Sequence, residues 1–94
     1  MPEFNRQLAS IIVMRMLKSY APAVAIQEGT TIRGDLRLDD DGIHYVGGQI
    51  IEEIESLGFC THFSLDELSL AHTVADVINV VVTGTDSPGP KARP

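Results

Sequence analysis

Asp39-Asp40-Asp41-Gly42-Ile43-His44-Tyr45-Val46-Gly47-Gly48-Gln49-Ile50-Ile51-Glu52-Glu53-Ile54-Glu55-Ser56-Leu57-Gly58-Phe59 is the stretch whose reading decides the fold. Ile43, Val46, Ile50, Ile54 and Leu57 recur every three or four residues. That spacing puts side chains on one face of an α-helix. Glu52, Glu53 and Glu55 fall off that line and are predicted to meet water. Asp39, Asp40 and Asp41 sit where carboxylates cap free N–H groups and complement the helix dipole. Gly58 suits the residue that ends a helix. The stretch reads as an acidic loop entering one amphipathic helix, and the remaining chain must supply apolar faces to cover it.

On the N-terminal side, Glu3 to Tyr20 is predicted as helix one. Phe4, Leu8, Ile11 or Ile12, and Leu17 recur at near-helical spacing, with Met14 and Met16 beside them as gap-fillers. Pro22 stops that helix. Ala23 to Leu38 is a long connection. Val24, Ile26, Ile32, Leu36 and Leu38 alternate loosely, but Gly29, Thr30, Thr31 and Gly34 interrupt them. A lone hairpin would be marginal, so an ordered loop plugging a helical core is preferred.

On the C-terminal side, Ser64-Leu65-Asp66-Glu67 fits a capping box, serine at N-cap and glutamate at N3. Few residues remain before His72-Thr73, so helix three is a turn or two. Thr73-Val74-Ala75-Asp76 is a second, weaker box, opening a last helix through Val74, Val77, Ile78, Val81 and Val82. Its β-branched run lowers helix propensity, which makes a strand the competing reading. Gly84 ends this element. The fold class expected is all-α: a small four-helix bundle with a long loop between helices one and two and a short third helix. The domain spans 1–84, followed by a disordered proline-rich tail over 85–94.

With 94 residues, the chain has room for one small domain. Its formal net charge of −6 argues against a nucleic-acid binder, which needs a basic stripe. It suits docking to a basic protein surface. A single cysteine, Cys60, forms no internal disulfide and fits a reducing, cytoplasmic setting. Cys60 is read as a buried or half-buried inert thiol. No apolar run is long enough to span a membrane, and Glu3 with its polar neighbours is unlike a secretory signal.

The order of elements resembles the acyl carrier protein family over roughly Phe4 to Val82. Leu36-Arg37-Leu38-Asp39 is similar to the approach to that family's signature, and Asp41-Gly42-Ile43-His44 falls where the family carries Asp-Ser-Leu-Asp. Glu52 to Phe59 is similar to the glutamate-rich end of its second helix, and His72 to Ile78 to the Thr-Val opening of its fourth. The resemblance implies a recognition helix whose serine carries phosphopantetheine. Here Gly42 stands at the serine position, and without a side chain it cannot form the phosphodiester. Ser64, in Phe63-Ser64-Leu65-Asp66, is the alternative attachment site, against its plain role as N-cap.

The expectation is therefore an acidic docking or regulatory protein without a prosthetic group, related to lipid or polyketide biosynthesis. Asp40, Asp41, Ile43, Val46, Glu52 and Glu53 would form or border the surface offered to a basic partner such as a carrier-dependent enzyme. Two other readings stand beside it. One is a working acyl carrier with phosphopantetheine on a serine such as Ser64, and the other is a helical homo-oligomeric assembly module. No nucleophile–base pair or phosphate-cradling loop points to an enzyme.

Metal chemistry finds little support. An EF-hand register with Gly42 at position six puts Arg37 at the first ligand position and Gly48 at the last, where a carboxylate is needed. His44, His62 and His72 lack partners at metal-ligand spacing. Gly47-Gly48 weakens the helix interior by about 1 kcal/mol per glycine relative to alanine. It reads either as a site of close approach by another chain or as tight packing.

Overall fold

A computed structural model describes residues 4–86. Glu3 and residues 87–94 of the expected tail lie outside that range. The described chain is mostly helical: α1 (Arg6–Tyr20), α2 (Asp40–Ser56), α3 (Leu65–Ser69) and α4 (Val74–Thr83). Two-residue strands β1 (Cys60–Thr61) and β2 (Thr85–Asp86) pair antiparallel, Cys60 opposite Asp86 and Thr61 opposite Thr85. Thr85 and Asp86, assigned to the tail by composition, are thus part of the folded unit. Strands this short have no alternating pattern to read.

Each helix begins at a side-chain cap. Asn5 Oδ1 accepts from the Leu8 N–H at 2.9 Å, and Asp39 Oδ1 from the Gly42 N–H at 2.8 Å. Ser64 and Thr73 both close full capping boxes, with Glu67 and Asp76 as the reciprocal carboxylates. Those local signals, together with burial of Val74, Val77, Ile78 and Val81, hold α4 helical against its β-branched composition.

α1 packs on α2 and α4, and α3 packs on α2. α1 buries Ala9, Ile12, Val13 and Leu17, while Ile11 is 53% exposed, which resolves the choice between the two isoleucines. α2 buries Ile43, Val46, Ile50 and Ile54. Leu57, expected on that face, is the C-cap and is 47% exposed. Gly58 follows at φ +97°, the left-handed conformation that favours glycine.

Residues 21–39 contain no helix, and their apolar side chains enter the core: Ile32, Leu36 and Leu38 are all buried. The segment also serves α4. Thr30 and Glu28 carbonyls accept from the Val74 and Ala75 N–H groups, each at 2.9 Å. These are first-turn donors that the helix itself leaves unpaired. A bridge between Thr31 and Thr73 and the bond from Ile32 N–H to the His72 carbonyl complete the seam.

The paired glycines of α2 have different surroundings. A Cβ at Gly47 would lie 2.7 Å from Leu65 Cδ2 and 2.8 Å from Leu68 Cδ1, so α3 presses directly on it. A Cβ at Gly48 would meet nothing within 4 Å. Close packing against α3 explains Gly47, and nothing in the structure explains Gly48.

Candidate functional site

The charge of the chain is concentrated on α2. Between Asp39 and Ser56 there are six acids and no lysine or arginine, a formal −6 equal to that of the whole chain. Elsewhere the acids and bases balance.

The first turn of α2 holds Asp39 as N-cap, with Asp40 and Asp41 behind it. Negative charge there is favourable, worth roughly 0.3–1 kcal/mol per group at an exposed terminus. Asp40 accepts from Arg33 Nη2 at 2.7 Å, and the same nitrogen reaches the Ser69 carbonyl at 3.0 Å. Arg33 so ties the start of α2 to the end of α3. Asp41 is exposed and makes no ion pair among the described residues.

The other end of α2 breaks the rule that the first obeys. Glu52, Glu53 and Glu55 approach the negative end of the dipole, and the last turn has no basic residue. Each carboxylate within the last turn, Glu53 and Glu55, costs roughly 0.3–1 kcal/mol before compensation. Glu53 is half-buried and pairs with Arg15 Nη2 of α1 at 2.7 Å. A pair this exposed is worth roughly 0–1 kcal/mol. Glu55 accepts from Thr61 Oγ1 at 2.9 Å. Glu52 is exposed and, among the described residues, has no ion pair.

Ile43 and Val46, expected on the docking surface, are each only 5% exposed and belong to the core. The correction follows from helix geometry: the periodicity that marks the buried face includes both. They line a small apolar cavity of about 20 Å³ with Leu17, Ile50, Leu68 and Val77. The side chains that replace them outside are His44, Tyr45 and Gln49, all exposed. His44 Nε2 lies 3.9 Å from Asp66 Oδ1 of α3. Tyr45 and Tyr20 have ring centroids 6.3 Å apart at 49°.

Gly42 occupies the third position of α2 and is buried. A Cβ built there would stand 2.9 Å from Leu38 Cδ2, 3.1 Å from the Tyr20 hydroxyl and 3.3 Å from Asp39 Oδ1. The position lacks a hydroxyl, and it also faces inward against the end of α1. Ser64 is exposed, and its Oγ accepts from the Glu67 N–H at 3.2 Å.

Asp76 accepts from the backbone N–H groups of His72 and Thr73 at 3.1 and 3.2 Å. These bonds favour the ionised form and hold its carboxyl below the ordinary value of 3.8. The arrangement caps α4.

Cys60 is exposed, contrary to the expectation of a buried or half-buried thiol, because the short β1 turns it outward. It stands opposite Asp86, whose Oδ2 lies 2.6 Å from His62 Nε2. Among the described residues no group of three His, Cys, Asp or Glu side chains is placed to hold a metal ion. Likewise, no helix there is long and apolar enough to cross a membrane.

Asp40, Asp41, Glu52 and Glu53, the acids expected on the docking surface, all lie on α2, with Asp40 and Asp41 in its first turn instead of a preceding loop. No sequence signal marks Tyr20 and Tyr45, whose proximity depends on how α1 and α2 cross. Comparison of the chain with models of protein families, with curated proteins and with solved structures finds no match.

Proposed function

We propose that this protein is an acidic docking or regulatory module of acyl-carrier type that carries no phosphopantetheine. The observation that carries the reading is the placement of charge on α2. Glu53 and Glu55 lie where they oppose the stability of their own helix, and Glu52 beside them is left without an ion pair among the described residues. Local violations of the rules that stabilise a helix are expected at functional surfaces. A helix whose solvent-facing side carries charge of one sign steers a basic partner and sets encounter rate and selectivity. The partner class is a carrier-dependent enzyme with a basic face. The burial of Gly42 supports the absence of cargo at that position.

The working-carrier alternative rests on Ser64, the exposed cap of a helix only five residues long. Incubation with coenzyme A and a broad-specificity phosphopantetheinyl transferase, followed by intact mass, separates the two readings. The proposal expects no mass gain, and addition of one phosphopantetheine would overturn it. The same transferase, being a carrier-dependent enzyme, serves as the docking probe. Asp41→Lys and Glu52→Lys should each weaken its binding, and neither removes an ion pair seen in the fold.

A further inference from the structure

Along the seam of α1 and α2 lies an open trough made of two neighbouring hollows of about 210 and 270 Å³. Met16 and Gln49 line both parts. At one end stand the exposed rings of Tyr20 and Tyr45, and at the other Glu52 and Glu53. Arg15 is engaged with Glu53, and Lys18 Nζ is turned to the Val24 carbonyl at 3.4 Å. Glu52 therefore remains as the available carboxylate, and the two rings are the available aromatic faces.

We propose that this trough receives arginine side chains from a basic segment of a protein partner, one guanidinium on Tyr45 and a second at Glu52. The inference rests on the docking reading above and deepens it by naming the seam and the side chain. Charge complementarity excludes an acidic occupant. The aromatic end selects among cations: a guanidinium is planar, weakly hydrated and stacks on a ring, whereas an ammonium is a compact, strongly hydrated point charge. The same planar fork matches the carboxylate of Glu52. Tyr45 and Glu52 are seven residues apart on one helix, about 10 Å along its axis. Two arginines spaced i, i+7 on a partner helix span that distance.

The test is a titration of isotope-labelled full-length chain, followed by NMR, with two alanine-based peptides of roughly 16 residues, long enough to hold helix. One has arginines at i and i+7 and the other has lysines there. The arginine peptide should bind about threefold or more tightly, with shifts at Met16, Tyr45 and Gln49. Tyr45→Ala should erase the arginine advantage, and Glu52→Gln should weaken both peptides. Equal affinity for the two peptides, or an advantage that survives Tyr45→Ala, would overturn the proposal. Shifts confined to Asp40, His44 and Asp66 would also overturn it while leaving an acidic docking surface intact. No binding of either peptide at low salt would remove both.

Discussion

Substituting alanine for the two adjacent glycines of α2, one at a time, tests the packing of this fold with its own internal control. Both positions are in the helix interior, so each glycine-to-alanine change gains about 0.5–1 kcal/mol from backbone entropy and propensity. Gly48 points into open space, and Gly48→Ala should realise that gain in full. At Gly47 the new methyl would sit 2.7 Å from Leu65 Cδ2 and 2.8 Å from Leu68 Cδ1. Both atoms are side-chain ends, but Leu68 is 1% exposed and is held by the core. The adjacent cavity of about 20 Å³ absorbs little of the shift required. Overpacking of this kind costs about 1–3 kcal/mol. The propensity gain cancels between the two variants, so Gly48→Ala should exceed Gly47→Ala in stability by about 1–3 kcal/mol. For a domain this size, 1 kcal/mol moves the melting temperature by roughly 4–8 °C. Urea unfolding of both variants and the parent, with unchanged slope, measures the difference. Equal stabilisation by the two alanines would refute the close approach of α3 to Gly47. Destabilisation by Gly48→Ala would refute its placement on an open face.

Three further outcomes follow from the caps and from the start of α2. Gly42→Ser should be about 1–2 kcal/mol less stable than the parent, since its Cβ meets Leu38 and Tyr20, and it should still gain no mass from a phosphopantetheinyl transferase. A mass gain there would contradict the inward orientation of the position. Ser64→Ala should lose about 1 kcal/mol of stability, measured by urea unfolding, through the cap of α3 alone. Asp76→Asn should be less stable than the parent at neutral pH. Because the folded carboxyl lies below 3.8, its contribution is present above that value and lost as pH falls through the folded pKa. Unfolding midpoints of parent and variant should converge in that acid range, and a gap that persists below it would contradict the role given to the ionised carboxylate.

The features legible in the sequence are those decided by neighbours along the chain. Asp39, Ser64 and Thr73 mark helix starts because a short polar side chain reaches its own backbone three residues on. Gly58 marks a helix end because it adopts positive φ. Misreadings arose where the outcome depends on a distant segment or on where a period stops. Leu57 continues the spacing of Ile54 but falls past the last helical residue. The β1–β2 pairing joins residues 25 or so apart through two-residue strands, too short for alternation, and it brings Cys60 to the surface. The acids of the candidate surface were legible from charge alone. The burial of Ile43 and Val46 follows from the same period that defines the helix, whereas the resemblance alone places them at a docking surface. The Tyr20–Tyr45 proximity comes from the crossing of α1 and α2, which no local pattern encodes.

The most direct test of the central claim is the salt dependence of docking. Binding of the full-length chain to a phosphopantetheinyl transferase with a basic face is measured from low to high ionic strength, for the parent and for Glu52→Lys. Screening shortens the reach of exposed charges from about 10 Å at 0.1 M salt to about 3 Å at 1 M. Affinity should fall steeply over that range, and Glu52→Lys should be weaker at low salt, the two proteins converging at high salt. Binding that is indifferent both to salt and to Glu52→Lys would contradict that claim.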